Sequence, residues 1–318
     1  MNGRLKCLGT LLLAIALVPA LEAQAVAPLA ATPRVVVSIK PLHSLAAGVM
    51  AGVAEPEVLI KGGGSLHGYA LRPSEARALS RADLVFWVGP VLETFMERPL
   101  AALAGKARVV AMIAMPGVKV QPSREGGLWE DGLRKDAGEP LRHGDGVDGH
   151  IWLDPGNAAA IVAGMAEALG AFDQSNAGRY RENAAAMQAK LSALDGELRA
   201  KLARVKEKPF VVFHDAYQYF EASYGLRAVG SITLSPDRAP GAGRVAEVKR
   251  KIAGLGPVCV FSEPQFQPRI VEMLIRGTAA KTGMLDPEGT TIGPGAELYF
   301  DVARGLAASL VACLTAGP

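Results

Sequence analysis

Three histidines stand where imidazole chemistry is possible: His67 in GGGSLHGYALRPS, His150 in GHIWLDP and His214 in PFVVFHDAYQYF. They are three of only five in the chain, they are widely separated along it, and each adjoins a strand-like apolar run. Neutral imidazoles brought together by a fold are a usual cage for Zn²⁺. Three of them leave one position of a tetrahedral ion, which Asp286 or a water would take. Imidazole-rich sets suit zinc better than manganese or magnesium, which favour oxygen. Asp215, next to His214, is placed to orient a ligand or accept a hydrogen bond from one. The spacing has no local pattern such as CxxC or HExxH. The residues alone therefore leave two readings open, a joint metal site or three histidines that merely end strands.

The elements that must position these residues alternate between strand and helix. Residues 34–39 (RVVVSI), 58–60, 84–88 and 107–112 read as strands, with helices predicted at 41–51, 73–80 and 91–104. The second half repeats the pattern, with strands at 210–213, 258–261 and 283–285 and helices at 216–224, 246–254, 268–282 and 298–314. This is the rhythm of an α/β fold with mainly parallel sheets. In such sheets ligands bind beyond the carboxyl ends of strands. His67, His214, Glu263 and Asp286 each follow a predicted strand. Between the halves, residues 176–206 form one long helical pattern. Its apolar residues Tyr180, Ala184, Met187, Leu191, Leu194, Leu198, Leu202 and Val205 recur in steps of three and four, which predicts one buried face.

Residues 116–149 break the rhythm, with eight glycines, three prolines and twelve charged residues among 34. A loop this long is functional or unstructured. His143 lies inside it and reads as a solvated histidine or a transient metal contact.

The N-terminus reads as an export signal. Arg4 and Lys6 precede an apolar stretch too short to span a membrane, and Ala23-Gln24-Ala25 fits a cleavage site. The expected mature chain begins after Ala25 and meets its ligand outside the cytoplasm. Two cysteines remain, Cys259 and Cys313, and in an oxidising compartment they are expected to form one disulfide. The formal charge of +3, with no basic run, argues against nucleic acid as partner.

The segments SIKPLHSLAAGVM, SLHGYALRPSEARALSRADLVFWVGP, HIWLDP, FHDAYQYFEASYGL, CVFSEPQFQP and GMLDPEGTTI, in this order, resemble the periplasmic zinc-binding proteins of ABC-type zinc uptake systems. These are the ZnuA-like members of the metal-binding solute-binding family. The resemblance covers nearly the whole mature chain. It implies two Rossmann-like α/β lobes joined by one long rigid helix, with the metal in the cleft between them. The implied organisation is a signal at 1–25, a first lobe at 26–175 with the flexible insertion at 116–149, a linking helix at 176–206 and a second lobe at 207–318. By motif matching, the family's metal histidines correspond to His67, His150 and His214, and its paired cysteines to Cys259 and Cys313. Related manganese binders carry a glutamate where His214 stands, so the chain looks like the zinc branch.

The chain also departs from the pattern. Leu66 stands where some members have a metal-binding glutamate, which leaves the fourth position to Asp286 or water. The insertion holds one histidine where many members have several. The implied function is capture of Zn²⁺ in the periplasm and delivery to an inner-membrane ABC permease, with periplasmic zinc chaperones as possible further partners and no enzymatic activity. The alternatives are a manganese or iron carrier of the same family, a surface adhesin on the same fold, or a zinc-dependent hydrolase with Glu263 as general base.

Overall fold

A computed structural model describes residues 32–62, 68–124, 127–129, 146–233, 239–266 and 269–316. The export signal, His67 and His143 lie outside these residues.

The first half lays down β1 (Val35–Ile39), α1 (Lys40–Val49), β2 (Glu57–Ile60), α2 (Pro73–Arg81), β3 (Leu84–Trp87), α3 (Glu97–Leu103) and β4 (Arg108–Ala111). The four strands form a parallel sheet in the order β2-β1-β3-β4. All five residues of β1 are buried, as expected of a strand covered on both faces. Then come α4 (Pro155–Phe172) and α5 (Ala177–Leu202). The second half lays down β5 (Pro209–Val212), α6 (Gln218–Tyr224), β6 (Arg227–Ser231), α7 (Ala242–Leu255), β7 (Cys259–Ser262), α8 (Arg269–Ile275), β8 (Lys281–Met284) and α9 (Leu298–Thr315). Its sheet is also parallel, ordered β6-β5-β7-β8. The result is the α/β architecture expected from the alternation, in the two lobes that the resemblance implies.

The long helix α5 buries Tyr180, Ala184, Met187, Leu191, Leu194, Leu198 and Leu202, the face that the three-and-four spacing marks out. That face packs on α1, α4 and α9. The final helix α9 therefore returns from the second sheet, where it also touches β8, to the helices of the first. By length and composition α9 is apolar enough to cross a membrane. Here its apolar face closes the core, with Leu298, Phe300, Leu306 and Leu310 buried.

Two elements have no counterpart in the sequence reading. The helix α4 is alanine-rich and buried over much of its surface, so it lacks the polar face that would mark its period. The strand β6 (RAVGS) carries Arg, Gly and Ser, which are weak strand formers. One prediction is corrected. The helix expected at 268–282 stops at Ile275, and residues from Lys281 enter β8. Gly277, at φ +79°, turns the chain between them.

Cys259 and Cys313 are joined, tying β7 to α9 across 54 residues of chain. Constraining a loop of that length in the unfolded chain is worth at most about 4 kcal/mol. Reduction is therefore expected to lower the urea midpoint measurably. Identical midpoints with and without dithiothreitol, with thiol titration showing full reduction, would refute this.

Candidate metal centre

The second sheet builds the first half of the site through its register. β5 pairs with β7 so that Phe210 faces Cys259 and Val211 faces Val260. Carried past the strand ends, the same register sets His214 beside Glu263. His214 Nδ1 donates to Glu263 Oε1 at 2.7 Å, and both side chains are buried.

The other half comes from the chain entering α4. Asp148 Oδ1 accepts from both the backbone N–H (2.9 Å) and Nδ1 (2.7 Å) of His150. The residue between them must be glycine, because a Cβ on Gly149 would lie 2.8 Å from Leu92 Cβ. Asp148 is itself held from α6, where Tyr219 donates its hydroxyl to the Asp148 carbonyl at 2.8 Å. After His150 the chain makes a short 3₁₀ turn, and Asp154 caps α4 by accepting from Asn157 N.

The two imidazoles meet with Nε2 atoms 3.4 Å apart and rings inclined at 60°. A carboxylate can only accept, so each Nδ1 carries the proton and each Nε2 presents its lone pair when the ring is neutral. Two lone pairs aimed at one another at this distance repel unless a cation lies between them. Two nitrogens bound to one tetrahedral zinc at ~2.0–2.1 Å would stand roughly 3.3–3.4 Å apart, so the observed separation fits a shared ion. The carboxylate–imidazole arrangement also raises ligand basicity and fixes ring orientation.

His214 shows the electrostatic consequence. Burial acts to lower its pKa, but the surrounding carboxylates, Glu263 first and then Glu288 and Asp215, together hold it above the ordinary imidazole value.

The remaining predicted residues fall as follows. His67 lies outside the described residues. Asp286 is half-buried in the loop after β8, where its carboxylate accepts from the backbone N–H groups of Glu288 and Thr291, each at 3.3 Å. Among the described residues no three His, Cys, Asp or Glu side chains gather around one point. The expectation for Asp215 is corrected. Its carboxylate is taken by the Arg124 guanidinium, which also holds Glu221 at 2.8 and 3.0 Å. Glu263, read as a possible general base, instead holds the His214 ring.

The described residues of the insertion make defined contacts. Pro122 bridges Val147, Leu128 bridges Gly230 on the edge strand β6, and Arg124 stacks on Trp129. Both flanks are tied to α6, where the Tyr219 hydroxyl accepts from Gln121 N and donates to the Asp148 carbonyl. Asp148 belongs to this segment and escaped the sequence reading, although the Asp-Gly-His triplet was a usable signal.

Lys40 is a further residue that sequence reasoning missed. It sits at the carboxyl end of β1 and gives all three ammonium hydrogens to carbonyls of the Asp286 loop: Gly289 (2.9 Å), Thr290 (3.0 Å) and Ile292 (2.9 Å). Trp152 Nε1 donates to the Pro287 carbonyl of the same loop at 2.9 Å. The first lobe thereby grips the loop that borders the histidines.

Comparison with known proteins agrees with this architecture. Residues 35–313 match the family model described as zinc-uptake complex component A, periplasmic. The chain belongs to this family. It is 43% identical over 306 residues to the high-affinity zinc uptake system protein ZnuA of Brucella suis biovar 1, covering 88% of this chain and 91% of that one. It is 38% identical over 319 residues to the protein of the same name from Paracoccus denitrificans, covering 95% and 98%. Among solved structures, the periplasmic zinc-binding protein TroA of Treponema pallidum superposes with a TM-score of 0.74 over 90% of this chain and all of that one. At 22% identity, that likeness shows the fold alone.

Proposed function

We propose that this chain is the periplasmic binding component of a zinc uptake system. It captures Zn²⁺ between its lobes and delivers it to an inner-membrane ABC permease, with no bond made or broken. His67, His150 and His214 bind the ion, and the fourth donor is Asp286 or water. Export by a signal at 1–25, and lobes at 26–175 and 207–318 about the helix at 176–206, belong to the same reading. Loading by periplasmic zinc chaperones is compatible with it. The observation that carries the proposal is the facing pair of His150 and His214, each held at Nδ1 by its own carboxylate.

Zinc must displace protons from these imidazoles. Because the His214 pKa is raised, competition begins above the ordinary imidazole value of ~6.5. Affinity is fully expressed above the raised pKa and falls as pH drops through it, by roughly tenfold per unit for each proton displaced. Competition titration of Zn²⁺ from pH 8 to 5.5 tests this, with Mn²⁺ as rival ion. A flat profile, or preference for Mn²⁺, would sink the reading.

A further inference from the structure

A buried ammonium sits where two loops of the site meet. Lys40, 5% exposed, opens α1 directly after β1. Its Nζ donates to the carbonyls of Gly289, Thr290 and Ile292, so all three hydrogens are spent on the loop that begins at Asp286. The loop after β2, which runs on towards His67, closes on the same group. A Cβ added to Gly62, at φ +107°, would lie 3.3 Å from Lys40 Nζ and 3.4 Å from Thr290 O. An ammonium is expensive to bury, and this one is tolerated because each of its hydrogens is accepted.

The Asp286 loop leads into α9, whose two ends are held by different lobes. At its head, Ser44 Oγ of α1 donates to Ala296 O at 2.8 Å and accepts from Tyr299 N at 3.0 Å. The Tyr299 hydroxyl donates to the Trp152 carbonyl at 2.9 Å, in the 3₁₀ turn that follows His150. At its tail, Cys313 is bonded to Cys259 of β7, and the Leu314 carbonyl accepts from Lys208 Nζ at 2.9 Å. The 18 residues of α9 make a rod of roughly 27 Å. It starts fastened to the first lobe, packs along α5, and finishes fastened to the second lobe. A single connecting helix leaves the lobes free to twist about its axis, and a second one alongside it opposes that twist.

We infer that Lys40 is a positioning residue for the metal: by fastening the Asp286 loop and the head of α9 to the first lobe, it makes α9 a second strap beside α5, one that keeps His214 facing His150 whether or not zinc is bound. This rests on the zinc-binding reading above. Ligands already in place bind tightly because little order remains to be imposed, and the loss of such preorganisation shows mainly in the dissociation rate.

The test uses the mature protein and stopped-flow release of Zn²⁺ to an excess of chelator. Lys40→Met keeps the apolar stem and removes the three donations. It is expected to speed release at least ~10-fold, the worth of one charge-assisted hydrogen bond, with the association rate little changed. Ser44→Ala, a milder cut at the head of α9, is expected to move release in the same direction. Val248→Ala removes buried volume from the core of the second lobe, away from the strap, and is expected to lower stability without changing release. Wild-type release in Lys40→Met, or equal acceleration in Val248→Ala, overturns the inference. Hydrogen exchange on the unmodified protein gives a reading free of any folding defect. The Tyr299 amide is expected to be equally protected with and without zinc, and its opening on zinc removal overturns the inference. If the unmodified protein binds no zinc, the functional reading fails. If it binds zinc and Lys40→Met releases it at the wild-type rate, only this inference fails.

Discussion

Replacing His214 with alanine is expected to weaken Zn²⁺ binding at least ~100-fold, beyond the ~10–100-fold cost of losing an outer-shell partner. The loss is compound. The substitution removes one Nε2 of the facing pair and also leaves Glu263, only 2% exposed, without the imidazole N–H it accepts. A buried carboxylate in that state takes up a proton or draws in water, and either change disturbs what remains of the site. Replacing His150 is expected to act similarly, because Asp148 loses its ring partner. Isothermal titration with a competing chelator measures both. Wild-type affinity in both variants would mean that the facing imidazoles do not hold the ion.

Replacing Arg124 with methionine is expected to destabilise the fold by about 3–5 kcal/mol, the usual cost of removing one partner from a buried ion pair. Arg124 has a side chain 5% exposed and spans Asp215 and Glu221, whose side chains are 19% and 1% exposed. Methionine keeps most of the apolar stem but leaves Glu221 buried without its cation. Adding Glu221→Gln to the same protein is expected to recover part of the loss, since the neutral amide costs less to bury. Urea denaturation of the metal-free proteins reads both effects. A single variant as stable as wild type, no further off than an ordinary surface change, would show that the insertion's anchor on the second lobe carries no stability.

The two predictions concern residues that differ in how visible they are from sequence. His150 and His214 stand out by residue type beside apolar runs. Arg124 does not, because it sits in a glycine-rich, highly charged stretch where every signal points to a solvated loop. Its role appears only when residues 127–129 reach the edge strand β6, where Leu128 bridges Gly230. Asp215 shows the opposite error. Adjacency to His214 made it the natural orienting group, yet the chain bends beyond the end of β5 and the Asp215 carboxylate is taken by Arg124. The partner that faces His214 is Glu263, distant along the chain and one strand over.

Local chemistry alone therefore determined the alternation of elements, the buried face of α5, the cysteine pair and the types of donor a metal would need. These follow from periodicity and residue type, which act over a few neighbouring residues. The tertiary structure decided which carboxylate holds which ring, how Lys40 and Trp152 grip the Asp286 loop, and where the insertion docks. Parallel strands are joined by long crossovers, so residues side by side at their carboxyl ends are far apart in the chain, with no local pattern to link them. Only the register of β5 on β7 brings His214 to Glu263, and only the approach of the two lobes brings His150 to His214.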